Sequence, residues 1–575
     1  MRKIHRLPWF VVLAASLIAC SPLQPGEPRG ADLVLTNGRI WTVNPKQPWA
    51  NTVAIRDGRI IYVGGSENAG LFAGTKTIDL GGRMVMPGMV DGHTHPGLVS
   101  LEQYELFSEA EDHETFMADL KEWANANPGE GWVRGCCWPV QAYVDGDKGP
   151  DRIHLDEVFP DRPLWLTSSS WHSYWLNSKA LEALGVDQNT TDPRFPIAMF
   201  KRDDKERLTG WVKEGAGWQF FGDVFELNPE LHREGMRAAL NTLSEHGVVA
   251  LYDGGNLEFS DTVYGFLKEL EDAGELPLRY EGTYMISVPE RRQHAVAEMK
   301  RFRETYGGER LQFNTVKLFM DGVDENRSGA HISPYDDDPD YVSNTMLSVE
   351  DLRDFLVELH EAKLDLHIHV IGDLATKNAL DAVEAAKTQV GKDFYPRVSL
   401  AHLQSIHPSD RARFGELGVS ANFTSWWHGD DGLDSANVGI GPEKAADTYS
   451  TMSLLNTGAN VTFSSDDWRL EVLTPFLGIE VGHTRRYPGA IAGVENPTMR
   501  GPAEERVPLE LMVKGWTQNG AYQLRMEDNI GSIAVGKSAD LLVLPQNLFE
   551  MDTQSIHSTK PDAVIVEGVL IHGEL

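Results

Sequence analysis

Two His-x-His pairs, His93-Thr94-His95 and His367-Ile368-His369, each close a short apolar run. Residues i and i+2 of a strand point to the same side, so each pair presents two imidazoles together. Val85 to Gly97 reads Val-Met-Pro-Gly-Met-Val-Asp-Gly-His-Thr-His-Pro-Gly. At its end, His93 and His95 make half of a site for a divalent metal such as zinc. With 19 histidines in 575 residues, one such pair arises by chance about as often as not. Its weight comes from further candidate ligands at later strand ends. His369 stands nearer the end of its run and is the better ligand; His367, one layer deeper, suits a residue that supports a ligand. His402 closes Val398-Ser399-Leu400-Ala401-His402, and Asp466 follows Thr462-Phe463-Ser464-Ser465. Asp466 can cap a helix or serve as general base toward an attacking water, with Asp467 competing for either role. Lys317 sits in the apolar run Asn314–Gly322, where a charged amine is costly. Two cations nearby would depress its pKa, and a neutral amine can take up carbon dioxide to form a carbamate that bridges two metals. The alternative is an edge-strand lysine facing solvent.

The elements that must position these residues alternate. Strand-like runs near Met84–His93, Val248–Gly254, Leu278–Ile286, Asn314–Gly322, Leu364–Ile371, Val398–Leu403, Val419–Thr424 and Val461–Ser465 are separated by amphipathic stretches such as Met236–Glu245, Phe259–Leu270, Val349–Ala362 and Leu374–Ala386. The fold class expected is α/β, a distorted (β/α)8 TIM-like barrel with its site at the C-terminal strand ends. This barrel domain spans 85–530. Residues 97–245 are too long for one βα connection and are expected to form an inserted subdomain, rich in Trp132, Trp138, Trp165, Trp171, Trp175, Trp211 and Trp218. Most of these tryptophans belong to its core, with a minority lining an apolar pocket. Segments 31–84 and 531–575 carry strand texture, with hairpin signals at Asn37-Gly38 and Asp57-Gly58 and strands at Asp540–Leu544 and Val564–Leu570. Neither end buries itself alone, so both are expected to join in one composite β-sandwich.

Residues 1–20 read as a processing segment: Arg2, Lys3 and Arg6 precede an apolar run from Trp9 to Ile18 that is too short to span a membrane. Leu17-Ile18-Ala19-Cys20 resembles a bacterial lipobox. That resemblance implies a lipid anchor at Cys20, a tether over 21–30, and an exported lipoprotein facing the periplasm or held at the outer membrane. An ordinary signal peptide is the alternative. The net charge of −33 repels nucleic acid and anionic membrane. The expected partners are a small-molecule substrate, no nucleic acid, a membrane only through Cys20, and optionally further copies of the chain. Cys136 and Cys137 are adjacent; two small buried thiols are expected rather than a vicinal disulfide.

Jointly, Met86 to His95, Lys317-Leu318-Phe319-Met320-Asp321-Gly322, His369-Val370-Ile371-Gly372-Asp373, the His402 strand, Ser465-Asp466 and Gly531 to Asp540 resemble the amidohydrolase superfamily, in particular its amidohydrolase-3 branch. The resemblance covers nearly all of 31–575. It implies a ligand set of His93, His95, carboxylated Lys317, His369, His402 and Asp466 around one or two divalent metals, most simply zinc. It also implies hydrolysis of a non-peptide C–N bond in a small molecule, with Asp466 moving the proton. Some stretches depart from the branch. Ala401 stands where Glu is usual, Ser170-Trp171-His172 replaces an Asp-Gly-His pattern, and a Gln is replaced near Asn422-Phe423. Gly210-Trp211-Val212-Lys213-Glu214 keeps a Gly-x-x-x-Glu match. His172 and Glu214 are therefore candidates for substrate contact. Ester, lactone or phosphoester hydrolysis, deamination and isomerisation could use the same site. An inactive ligand-binding surface lipoprotein is the rival from another class, disfavoured by the retained ligand set.

Overall fold

The computed structural model describes residues 30–575 apart from 68–71, 73, 100–103, 109, 111, 139, 141–142, 144–149, 169, 226, 337, 430–438, 468, 470–471 and 490–497. The processing segment, Cys20 and nearly all of the tether lie outside the described residues. Among the described residues, no helix is long and apolar enough to cross a membrane.

The fold is α/β. Eight strand positions follow one another in chain order: β1 (Met89–Thr94), β2 (Val248–Asp253), β3 (Arg279–Glu281, resumed at Met285–Ile286), β4 (Leu311–Gln312, resumed at Thr315–Phe319), β5 (Asp365–Val370), β6 (Val398–His402), β7 (Ser420–Thr424) and β8 (Asn460–Ser464). All neighbours pair in parallel. The expected continuous strand Leu278–Ile286 is interrupted, and so is the fourth position. Their first halves pair with each other in the sheet that holds β2, and their second halves pair with each other in the sheet that holds β5, so two sheets share the interrupted strands. The ends of β8 and β1 also meet: Asp466 N donates to His93 O at 2.8 Å and His95 N to Asp467 O at 3.2 Å. Every residue of β1, β2, β5, β6 and β7 is buried, which fits apolar runs covered on both faces. Helices lie between the strands. Pro229–Glu245 starts at Asn228, whose side chain accepts from Glu230 N and Leu231 N. Val349–Ala362 starts at Ser348, which accepts from Asp351 N.

The run Met84–His93 is two strands, not one. Met84–Pro87 pairs antiparallel with Leu541–Leu544 and parallel with Arg39–Trp41, while β1 pairs with β2. The chain changes sheets at Gly88, where an added Cβ would lie 2.4 Å from Val249 Cγ1. Gly88 N donates to Asp540 O at 2.9 Å, and Met89 N to Gly247 O at 2.9 Å.

Strands from both ends of the chain thus share a six-stranded sheet. A four-stranded sheet faces it across a cluster including Leu35, Val53, Ile55, Val85, Leu541 and Ile565. Asp57-Gly58 makes the expected hairpin between Thr52–Arg56 and Arg59–Gly64. Asn37-Gly38 does not: Leu33–Thr36 and Arg39–Trp41 enter different sheets, because Arg39 pairs with Met84 rather than back onto its neighbour. Val564–Leu570 is also corrected. It folds as a hairpin, Ala563–Val566 against Val569–Gly573, turning at Glu567 and Gly568 with φ of 51° and 77°.

Between β1 and β2, a separate six-stranded sheet runs in the order Met199–Arg202, Leu208–Lys213, Ser173–Leu176, Leu164–Ser168, Val133–Trp138, Leu106–Phe107. Trp138, Trp165 and Trp175 are fully buried in it. Cys136 and Cys137 are joined as a vicinal disulfide rather than left as two thiols. The strand loses its register with Leu164–Ser168 at this point, and Cys137 takes a φ of 71°, which turns the adjacent sulfurs toward each other.

Candidate metal centre

The C-terminal strand ends converge on Asp466. Its Oδ1 lies 3.4 Å from His93 Nε2 and 3.3 Å from His95 Nε2, and its Oδ2 lies 3.2 Å from His402 Nδ1. His93 Nε2 and His95 Nε2 are 3.3 Å apart, and Lys317 Nζ reaches His93 Nε2 at 3.0 Å. The His369 ring sits 4.5 Å from that of His402. All six side chains come together, and the tightest donor group is His93, His95 and Asp466, with ligand atoms within 4.8 Å of one another. Gly254 makes room for the pair: an added Cβ would lie 2.5 Å from both His93 Nε2 and His95 Cε1.

Supporting contacts aim the rings. His367 Nε2 meets His93 Nδ1 at 3.0 Å, and His95 Nδ1 meets Gly255 O at 3.1 Å. Both leave Nε2 toward Asp466. Asp91 Oδ1 accepts from His93 N and Ser465 N, fixing the ends of β1 and β8 to each other. Asp321 takes Ala330 N, Ile371 N and Gly372 N, which ties the ends of β4 and β5 together. Asp467 is engaged with Arg469 at 2.7 Å, leaving Asp466 as the carboxylate at the centre. Asn422 is turned to Thr462 and Ser464 instead.

Electrostatics favour the ligating forms. Burial, reinforced by Lys317, drives His93 well below the ordinary imidazole range. Burial does the same to His367 and His369 and lowers His402. Burial works against the Asp466 charge, yet the facing His93 and His402 rings hold its carboxyl well below the usual range. A carboxylate therefore stands among neutral imidazoles. Lys317 is fully buried, so it does not face solvent. Burial brings its amine down to about 7, against the pull of Asp466 and Asp253; burial, not the two nearby cations expected from sequence, is the cause.

The donor set fits a divalent metal on chemical grounds. Crowded nitrogen and oxygen donors with few other partners suit zinc, and His402 Nδ1 is buried without a well-aligned hydrogen bond. His93, His95, His369, His402, Asp466 and Lys317 are the side chains that would hold it.

The centre forms the floor of a cleft of about 620 Å³ whose walls are aromatic, with Tyr104, Phe107 and Trp171 on one side and Trp426, Trp427 and Tyr487 on the other. Trp427 stacks on His402 with centroids 5.5 Å apart. Of the inserted tryptophans, Trp171 lines the cleft. His172 and Glu214 are brought together, Nδ1 to Oε2 at 2.5 Å. Burial opposes the charge on each, but their mutual attraction raises His172 and lowers Glu214. The sequence reading did not single out Trp426 or Trp427, nor Glu325, which lines the same cleft and accepts from Ser170 Oγ. The two tryptophans directly follow β7, so the rule that sites gather at strand C-termini could have flagged them. Glu325 had no local signal.

A profile of the amidohydrolase family matches residues 76–572. The chain belongs to this amidohydrolase family. Its site is that of a hydrolase of the metal-dependent amidohydrolase superfamily. The amidohydrolase is 32% identical to the exoenzymes regulatory protein AepA of Pectobacterium carotovorum subsp. carotovorum over 397 residues, covering 67% of this chain and 83% of that protein. It is 24% identical to the N-substituted formamide deformylase of Arthrobacter pascens over 570 residues, 94% of this chain and 98% of that one. A solved metal-dependent hydrolase from Pyrococcus horikoshii OT3 shares the fold, with a TM-score of 0.66 at 22% identity over 91% of this chain and 99% of that one.

Proposed function

We propose that this amidohydrolase cleaves a non-peptide C–N bond in an amide-like small molecule. The observation that carries this reading is Asp466, an ionised carboxylate set against three imidazoles at the floor of an aromatic-walled cleft. The eight strand positions are read as one closed, distorted (β/α)8 barrel, and the two terminal sheets as a composite β-sandwich beside it. When bound, one or two zinc ions supply Lewis acidity that makes water nucleophilic and polarises a carbonyl. The protein's residues do the rest. His93, His95, His369 and His402 offer neutral nitrogens, and Lys317, neutral above about pH 7, is the amine we propose is carboxylated. Asp466 takes the proton from the attacking water. As the carbonyl carbon gains the water oxygen, the C–N bond breaks and Asp466 returns the proton to the departing nitrogen. The aromatic walls hold an apolar substituent and exclude bulk water. The deformylase relative acts, by its name, on N-substituted formamides, which makes N-alkyl and N-aryl formamides and acetamides the first panel.

The test is metal analysis with turnover of that panel, in the parent and in Lys317→Ala. Two equivalents of zinc, falling on substitution, with amine released by the parent, support the reading. Absence of metal after loading with zinc and bicarbonate would overturn it. We further propose export as a lipoprotein anchored at Cys20; the Cys136–Cys137 disulfide suits an oxidising compartment.

A further inference from the structure

The turn that follows β4 carries three consecutive polar residues, Asp324-Glu325-Asn326. Two of them are committed to the protein. Asp324 accepts from Tyr335 Oη at 2.8 Å and Gln404 Nε2 at 2.6 Å, and it faces His331 Nε2 at 2.8 Å. Asn326 Nδ2 donates to His172 O at 2.7 Å and Glu214 Oε1 at 3.0 Å. Backbone bonds close the turn, Asn326 N to Val323 O at 3.2 Å and Arg327 N to Asp324 O at 2.9 Å. Glu325 is thereby held on a braced turn at the wall of the cleft.

Its carboxyl is half used. Oε1 accepts from Ser170 Oγ, and Ser170 has a single proton to give. Oε2 makes no hydrogen bond, and no Lys or Arg pairs with the group, among the described residues. Yet Glu325 is only 4% exposed, and a carboxylate taken out of water is costly unless it is paired. Burial pushes the carboxyl up; Ser170 and His172 pull it back in part, and Glu214 and Asp324 add to the rise. The charge therefore lacks a counter-ion that the chain itself supplies. The guanidinium groups that line the cleft stand elsewhere, Arg469 over Trp426 and Arg500 over Tyr449, and Arg469 Nη2 is on Asp467 Oδ2 at 2.7 Å. The wall beside Glu325 is aromatic: Trp171 follows Ser170 in the chain and meets Tyr104 edge-on at 5.8 Å. A carboxylate oxygen beside aromatic rings is a surrounding that takes an organic ammonium, and a net charge of −33 draws cations toward the protein.

We propose that Glu325 is a specificity-determining residue, whose Oε2 accepts a hydrogen bond from an alkylammonium group carried by the amide substrate. The substrate class is then an amide with a primary ammonium on its amine or acyl side. This deepens the amide-hydrolase reading above and rests on it. No bond to Glu325 forms or breaks; its contact holds one end of the substrate while the carbonyl lies at the centre around Asp466.

The probes are two matched pairs, each exchanging ammonium for methyl: N-(4-aminobutyl)acetamide against N-pentylacetamide, and N-methyl-5-aminopentanamide against N-methylhexanamide. In the zinc-loaded parent, the ammonium member of at least one pair is expected to have about 10–100-fold higher kcat/KM, the range for a hydrogen bond to a charged group. Glu325→Gln is expected to bring that ratio to within about threefold of unity, with zinc retained. Should this variant not fold, Glu325→Ala serves instead. Ammonium members no better than methyl members in the parent, or a preference that survives the substitution, would overturn the assignment. A higher kcat/KM for N-(3-carboxypropyl)acetamide than for either ammonium member would move recognition to Arg469 and Arg500 and overturn it as well. If the zinc-loaded parent turns over no amide, the hydrolase reading fails separately. Glu325 is then judged by calorimetric binding of the same pairs. At least about tenfold tighter binding of an ammonium member, lost in Glu325→Gln, supports the contact, and equal affinities overturn it.

Discussion

Trp171 stands where the branch carries glycine, and the structure gives the physical reason for glycine there. Its φ is 63°, in the region where a side chain costs roughly 1–2 kcal/mol. The indole offsets that strain by packing. It is 8% exposed, stacks on Phe221 at 5.9 Å and meets Tyr104 edge-on at 5.8 Å. Its carbonyl accepts from Trp218 Nε1 at 3.0 Å, a contact that any residue at this position retains. Removing the indole is expected to cost about 3–5 kcal/mol in Trp171→Ala. Trp171→Gly loses the same packing but sheds the backbone strain, and its larger unfolded-state entropy takes back roughly 0.5–1 kcal/mol of that gain. The glycine variant should therefore be more stable than the alanine variant by about 1 kcal/mol, reversing their usual order. The assay is urea unfolding of the metal-free proteins, followed by far-ultraviolet circular dichroism, comparing midpoints at equal slope. An alanine variant as stable as the glycine variant, or more so, would refute the reasoning. Zinc content should be the same in both, because Trp171 lines the wall of the cleft rather than its floor.

Asp466→Asn should keep zinc and lose about 10²–10⁴-fold in kcat; metal analysis beside turnover checks this, and full activity would remove Asp466 from its role. Lys213 is buried, donates to Asn326 O at 2.8 Å and lies over Trp211, and burial brings its amine down to about 7. The unfolded chain holds that proton up to about pH 10.4, so the native state loses stability as pH falls from there to 7. Lys213→Met should thus be stabilised relative to the parent most below pH 7, by up to roughly 4 kcal/mol more than at pH 10; an offset independent of pH in urea unfolding would refute this. The unreduced protein should show no titratable thiol at Cys136 or Cys137 and gain two on reduction, measured by alkylation and mass. Cys20→Ser should abolish lipid attachment, read as loss of partition into detergent; unchanged partition would remove the anchor.

The donors were legible because chemistry and spacing coincide at strand ends. His93 and His95 sit two apart on a strand, and His369, His402 and Asp466 each close or follow an apolar run. The alternation of such runs with amphipathic stretches also gave the order of the eight strands. The terminal strands were harder. An Asn-Gly or Asp-Gly pair between apolar flanks has the local signature of a hairpin, and one stands at each of the two N-terminal turns, yet only Asp57-Gly58 makes a hairpin. The difference at Asn37-Gly38 lies in Met84, which captures Arg39 from 45 residues away. Glu567-Gly568 turns the chain with only one of its residues a turn former, so the run Val564–Leu570 read as a single strand.

The sequence by itself determined which residues could hold a metal, that they lie at the ends of buried strands, and that strands from both termini need partners. Periodicity and side-chain chemistry are local properties, and local properties survive without a fold. Only the tertiary structure decided the rest. It put Asp466 between three imidazoles that come from two other strands distant in sequence, buried Lys317 so that its amine is held near neutrality, and set Glu214 against His172 from separate strands. These depend on which surfaces exclude water together, and burial is a property of the assembled chain rather than of any segment within it.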